Sequence, residues 1–231
     1  KNYLKLNKNP YKPLYDRAFM SAYPPGSTFK PTQGLIFLQE KVITPHTMYP
    51  CYHGFVAGRL KVGCHAHGSP LGLLPALQTS CNAYFCYGLR SMLDSRSRYK
   101  NTAEAFDIWK DYLVSMGYGY RLGVDLPGES RGFIPNSKFY NKIYGENRWR
   151  ALTVISIGIG QGEVLATPLQ IANLAATIAN RGYFYTPHVV KEIQDTALTV
   201  EFRQRRYTHI DSEYYNYIVE VMRMAVTGGT C

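Results

Sequence analysis

Tyr23-Pro24-Pro25-Gly26-Ser27-Thr28-Phe29-Lys30-Pro31 is the stretch on which the reading of this chain turns. Pro24, Pro25 and Gly26 make a stiff turn that cannot be helical. The run from Gly34 to Ile43 is apolar enough for a buried helix. Pro31 limits where that helix begins, because proline lacks an amide hydrogen and its ring clashes with the carbonyl four residues back. Only about the first four amides of a helix lack an internal partner. The first helical residue is therefore predicted near Thr28, with Ser27 as N-cap. A hydroxyl there sits at the positive end of a helix, where a developing oxyanion is stabilised. Lys30, three positions on, is about 60° further round the helix and shares its face. A serine is a weak nucleophile until a base within hydrogen-bond reach takes its proton. A lysine serves as that base when burial depresses its pKa.

A Ser-x-x-Lys spacing arises often by chance, and a second motif some fifty residues downstream gives it weight. Ser80-Cys81-Asn82 is a Ser-x-Asn triplet at the edge of an apolar helix that includes Tyr84, Phe85, Cys86 and Leu89. A second serine there can relay a proton between Lys30 and a leaving amine. The asparagine amide offers one donor and one acceptor to a peptide backbone. A Lys-Thr-Gly strand motif is missing. Thr227-Gly228-Gly229-Thr230 has no basic residue before it and reads as a helix-ending turn.

Elsewhere, residues 44–70 read as irregular loop and 71–92 as mostly helix, interrupted near Pro75. Ala103 to Met116 reads as a helix, and the segment from Val124 past Tyr144 as loop. Thr167-Pro168 opens the clearest helix, with Thr167 as N-cap, Pro168 at the first helical position and Gly182 just past the end. Strands are expected at 183–193 and 197–203. A last helix is expected from Asp211 to Ala225, with Ile218, Met222 and Ala225 on one stripe. The mixture predicts an α+β domain.

The 231 residues, 45% hydrophobic and 18% charged, describe a globular chain, read as one domain over residues 1–231. No apolar run reaches the roughly 18 residues of a membrane span. The chain starts at Lys1 without a signal-like segment, so the start is expected to be a cut within a longer chain. The net charge of +10 is spread along the chain, with its densest cluster at Arg203, Arg205 and Arg206. Without a recognisable nucleic-acid module this argues against a nucleic-acid partner; an ordinary basic surface accounts for the charge, and work beside anionic membrane or wall polymer is the alternative. The 20 tyrosines fit half-buried positions with wet hydroxyls better than base-stacking platforms. The five cysteines, odd in number and unevenly spaced, do not describe a small disulfide scaffold.

Taken together, Ser27-x-x-Lys30 and Ser80-x-Asn82 match two of three signature elements of penicillin-binding proteins and class A β-lactamases. The surroundings are more specific than the triplets. Arg17-Ala18 with Tyr23 to Pro31, and Ser80 to Phe85, resemble the family's nucleophile and second-motif segments. Tyr118-Gly119 with Gly123 to Glu129 resembles the connection after the second motif. Gly158-Ile159-Gly160-Gln161-Gly162 with Ala166 to Gln170 resembles the segment that distinguishes elongation-type members. Met222 to Thr230 resembles the helix end before the third motif. From about residue 10 onward the chain is similar to a class B penicillin-binding protein of the elongation type, penicillin-binding protein 2.

The resemblance implies a partial transpeptidase domain with a serine β-lactamase-like fold, a helical subdomain plus antiparallel sheet, the C-terminal strands missing. It implies a D,D-transpeptidase in which Ser27 attacks the bond between the terminal D-alanines of a wall stem peptide. Lys30 takes the proton, Ser80 passes it to the leaving D-alanine, and Asn82 orients the substrate. A neighbouring stem peptide's amine then resolves the acyl-enzyme into a cross-link, and β-lactams acylate the same serine. No cofactor enters this chemistry. The implied partners are a membrane glycan polymerase and elongation-complex proteins. The implied place is the periplasmic side of the inner membrane, with the anchor outside this chain. One oxyanion-hole amide belongs, in the family, to the strand of the third motif. The 231 residues alone are therefore expected to acylate poorly, since losing one such donor costs about 10²–10³ in rate. Two rival readings are a serine β-lactamase or β-lactam sensor and a catalytically silent scaffold of the same fold. The first lacks the Glu-containing loop of class A enzymes. The second is favoured for these 231 residues by the missing third motif, but the intact Ser27, Lys30, Ser80 and Asn82 argue against it for the parent chain.

Cys51, His53, Cys64, His65 and His67 form a second cluster. Cys51, Cys64 and His67 make a mixed sulfur and nitrogen set suited to structural zinc, with no fourth ligand evident. Related elongation-type proteins can hold zinc in this loop with carboxylates among the ligands. A Cys51–Cys64 disulfide and free thiols are the alternatives.

Overall fold

The computed structural model describes residues 2–229; Lys1, and Thr230 and Cys231 of the C-terminal reading, lie outside them. After a short exposed helix, α1 (Asn2–Asn7), an irregular stretch leads to a single 3-10 turn, Gly26–Phe29, that runs into α2 (Lys30–Gln39). A hairpin of β1 (Gly54–Ala57) and β2 (Leu60–Gly63) comes next, then α3 (Leu73–Gln78), α4 (Asn82–Leu93), α5 (Thr102–Ser115) and α6 (Ser137–Tyr144). A 3-10 segment, Ala151–Ile159, precedes α7 (Pro168–Ala179). The chain ends with β3 (Tyr183–Phe184), α8 (Val200–Arg203), β4 (Arg206–Tyr207) and α9 (Ser212–Gly228). β1 pairs antiparallel with β2 and β3 with β4. The architecture is α+β and rich in helix, as expected.

α2 is the axis of the core. Lys30 and every residue from Thr32 to Leu38 are buried, with α4, α5 and α9 around them. A helix covered on all sides needs no polar face, which is why its second half, Gly34–Leu38, reads as a continuous apolar run. Its one internal glutamine, Gln33, accepts a hydrogen bond from Trp109 Nε1 at 3.0 Å. Phe29 anchors the start of α2, edge-on to Trp109 and Tyr118. α4 crosses α2 at Gly88, where a Cβ would lie 2.4 Å from the Phe37 ring. α4 also rests on the Ala151–Ile159 segment, where Gly158 lies against Phe85 and Leu89.

α7 forms as its sequence says. Thr167 Oγ1 accepts from the Gln170 amide at 3.1 Å and Gln170 Oε1 accepts from the Thr167 amide at 3.0 Å, a reciprocal cap. Gly182 adopts φ +109 just beyond the end. Other expectations need correction. Residues 44–70 are not wholly irregular, because Gly58 at φ +61 lets β1 and β2 close a tight hairpin. The break in 71–92 falls at Thr79–Cys81 and not near Pro75, since Pro75 lies in the first turn of α3, where no amide is needed. The loop after Val124 contains α6, capped by the Asn136 side chain on the Phe139 amide. Of residues 183–193 and 197–203 only Tyr183–Phe184 form a strand, paired with Arg206–Tyr207; Ile193 makes a single bridge to Thr196, and 200–203 are helical. The buried stripe of α9 is Tyr215, Ile218 and Val221; Met222 is exposed and Ala225 half-buried. The segment through Thr227 and Gly228 is the end of that helix, with Gly229 beyond it.

Candidate active site

Pro25 and Gly26 set the first bend. Pro25 has φ −69 and Gly26 φ +58, a sign that glycine adopts without steric cost. Ser27 is not the N-cap of α2, as the sequence suggested. It lies inside the Gly26–Phe29 turn, and its carbonyl accepts the Lys30 amide. Pro31 still falls where no amide hydrogen is needed, but the turn supplies the first coil and α2 begins three residues later. The consequence for the side chains is as expected. Ser27 is exposed, Lys30 is only 1% exposed directly beneath it, and Nζ lies 3.1 Å from Ser27 Oγ.

The turn is clamped from behind by the Gly158–Gly162 segment. The Gly26 amide donates to the Gly160 carbonyl at 2.8 Å, and a Cβ at Gly160 would lie 2.2 Å from the Gly26 carbonyl oxygen. Only glycine, here at φ +71, permits that approach. Tyr23 and Ala166 exchange backbone hydrogen bonds of 2.9 Å on the far side.

Ser80 arrives from the break between α3 and α4. Its φ of +53 is a left-handed conformation that costs a non-glycine residue roughly 1–3 kcal/mol. It turns both oxygens of Ser80 onto Lys30, whose Nζ donates to the carbonyl at 2.6 Å and lies 2.9 Å from Oγ. Asn82, at the start of α4, places Oδ1 2.7 Å from Nζ. The two hydroxyls also meet, Ser80 Oγ lying 2.9 Å from Ser27 Oγ. Lys30 thus faces four oxygens. An ammonium has three hydrogens and no lone pair, so it neither satisfies all four nor accepts a proton. A neutral amine donates to the Ser80 carbonyl and Asn82 Oδ1 and turns its lone pair to a hydroxyl. Burial favours that form, lowering the Lys30 pKa from 10.5 to about 8, partly offset by Cys64, Cys81 and Cys86 nearby.

Next to this constellation lies a thiol cluster. Cys51, Cys64, His67 and Cys81 bring their ligating atoms within 4.8 Å of one another. Cys81 is the fourth donor that the sequence reading lacked. Its signal was hidden inside the Ser80-Cys81-Asn82 triplet, where the flanking residues take the attention. His53 and His65 are exposed and stand outside the cluster. No disulfide joins Cys51, Cys64, Cys81 or Cys86. The donors fit a tetrahedral metal. Cys64 and Cys81 Sγ are 3.8 Å apart, the edge expected for about 2.3 Å zinc–sulfur bonds. His67 Nδ1 lies 2.8 Å from the Gly68 carbonyl, and its buried Nε2 has no partner. An imidazole that donates from one nitrogen and leaves the other bare is poised as a ligand. The Cys64 thiol is pulled down to about 4, chiefly by the hydrogen bond from Cys81, and the same bond holds the Cys81 thiol well above its usual range. Cys51 is pushed up by burial.

The sequence profile of the penicillin binding protein transpeptidase domain matches residues 1–231. The chain belongs to this family. A peptidoglycan D,D-transpeptidase MrdA of Acinetobacter baumannii is 34% identical over 200 residues, which cover 83% of this chain and 27% of that protein. The crystal structure of Pseudomonas aeruginosa PBP2 in complex with WCK 5153 matches with a TM-score of 0.82 at 25% identity, over 99% of this chain and 50% of that one. A structure described as coordinating polymerization and crosslinking in a peptidoglycan synthase complex matches at 0.81 and 28% identity, over 99% of this chain and 37% of that one. This penicillin-binding transpeptidase sequence therefore spans about a quarter of the curated relative's length. Ser27, Lys30, Ser80 and Asn82 converge within it.

Proposed function

We propose that this chain carries the acylation centre of a peptidoglycan D,D-transpeptidase of the penicillin-binding protein 2 type, with Ser27 as nucleophile. The observation that carries the reading is the position of Lys30 Nζ, buried, 3.1 Å below the exposed Ser27 hydroxyl and 2.9 Å from Ser80 Oγ. Neutral Lys30 removes the Ser27 proton as Oγ attacks the carbonyl between two D-alanines. The proton then returns through Ser80, whose hydroxyl touches both groups, to the departing amine. Asn82 is pinned by Lys30 and orients the stem peptide. Attack by a second stem-peptide amine on the Ser27 ester completes the cross-link. β-Lactams mimic the first substrate and stop at the ester.

Cys51, Cys64, His67 and Cys81 would hold a structural zinc. When bound, it supplies a tetrahedral cross-link between the β1–β2 hairpin and the start of α4, and takes no part in acyl transfer. The reading places this domain on the periplasmic side of the inner membrane, beside a glycan polymerase and elongation-complex proteins. The likeness to a peptidoglycan synthase complex supports that partnership.

The test is labelling of the full-length protein with a fluorescent penicillin. A stable one-to-one adduct is expected, abolished in Ser27→Ala. An unlabelled wild-type protein would refute the acylation chemistry. Rapid release of hydrolysed β-lactam would instead make it a β-lactamase.

A further inference from the structure

Asn82 is held from two sides. Its Oδ1 accepts from Lys30. On the other side its Nδ2 donates to the Gly63 carbonyl at 2.7 Å, and its backbone amide donates to Cys64 Sγ at 3.0 Å. The next amide, Ala83, also donates to Cys64 Sγ, at 3.2 Å. These are the first amides of α4, which have no partner within the helix. A sulfur from a different element therefore satisfies the start of the helix that carries a reacting-site residue. Cys64 stands directly after β2, and its own amide donates to the His53 carbonyl at 3.0 Å, which fixes the sulfur to the base of the hairpin. Cys51, His67 and Cys81 close around it.

We propose that Cys64 is a positioning residue for acylation: its sulfur, held in the thiol cluster, docks the first turn of α4 and so aims Asn82 at Lys30. The proposal rests on the transpeptidase reading of Ser27 and Lys30. Cys51 belongs to the same cluster but is not bonded to Asn82 or Ala83, so the two cysteines have separable roles. Losing Cys51 removes one metal ligand. Losing Cys64 removes one metal ligand and both N–H···S bonds. A thiolate accepts such bonds more strongly than a thiol, and a bound metal keeps the sulfur in that form. Metal binding would thereby be felt one residue from the catalytic amine's partner, without any contact between metal and substrate.

The experiment compares Cys51→Ala, Cys64→Ala and Cys64→Ser in the full-length protein, using the saturating rate of fluorescent-penicillin acylation. Cys64→Ala should acylate about 10–100-fold more slowly than Cys51→Ala, the size of effect usual for residues that orient a ligand. Cys64→Ser keeps an acceptor on the same carbon and should recover most of that difference, although it removes the same sulfur. Equal rates in Cys51→Ala and Cys64→Ala, or no recovery in Cys64→Ser, would overturn the proposal. Loss of label in Ser27→Ala marks the acylation of Ser27 as sound, so a negative result for Cys64 then counts against this proposal alone. If the Cys64 variants do not fold, the unmutated protein decides. With cadmium-113 in the cluster, the Asn82 and Ala83 amide protons should show scalar coupling to the metal through the sulfur. A protein that takes up no cadmium, or takes it up without that coupling, sinks the idea.

Discussion

The Lys30 amine is buried among four oxygens, and in the proposed reaction only its neutral form can serve as the base. Because its pKa is lowered to about 8, the rate of penicillin acylation should rise as pH climbs through about 8 and level off above it. A rate that is flat from pH 6 to 10 would contradict this. The stability consequence has a definite sign. Between about 8 and 10.5 the unfolded chain holds a proton that the folded amine has released, so stability should increase with pH across that window. Lys30→Arg, always charged and unable to accept a proton, should lose at least about 10² in acylation rate. The pairing of Ser27 with Lys30 was legible, because three positions along a helical coil share a face whether the coil is 3-10 or α. The strained backbone of Ser80 was not legible. Its φ depends on how α3 and α4 are set against α2, a tertiary matter.

At the scale of elements, local signals worked where they were self-sufficient. The Thr167-Pro168 start and Gly182 stop of α7 needed no partner, and they held. The strands expected at 183–193 failed for the opposite reason, since strand pairing needs a neighbour, and beyond one bridge from Ile193 to Thr196 only Tyr183–Phe184 finds one. Helix contacts show the same dependence. Gly88 is open to substitution by sequence, yet the Phe37 ring fills the space a side chain would need. Gly88→Ala should destabilise the protein by about 1–3 kcal/mol, seen as a drop of several degrees in Tm, while the smaller partner in Gly88→Ala/Phe37→Leu should restore part of it. An unchanged Tm for the single variant would show that α2 and α4 are less tightly apposed than described. Thr167→Ala, which removes the reciprocal cap with Gln170, should cost about 1 kcal/mol.

At the scale of the whole molecule, one cluster ties the hairpin of residues 54–63 to the central helices. Purified full-length protein should contain about one equivalent of zinc by elemental analysis. Chelation should lower its Tm, and so should acid, because thiolate and neutral imidazole ligands both compete with protons. Metal-free protein with an unchanged melting curve in chelator would exclude the structural role. The β1–β2 hairpin also packs directly on α4, with Phe55 fully buried against Tyr87, so the cluster adds to an apolar contact already present.

From sequence alone came the α+β class, the family, and the pairing of a serine with the lysine beneath it, since each depends on residues a few positions apart. The second motif was recognised by its triplet. What only the fold decided lies across long separations: Cys81 completing a set with Cys51, Cys64 and His67, Gly160 backing Gly26, and Cys64 capping the helix that bears Asn82. A side chain's near neighbours along the chain are set by coil geometry, but its partners across the core depend on how every intervening segment packs.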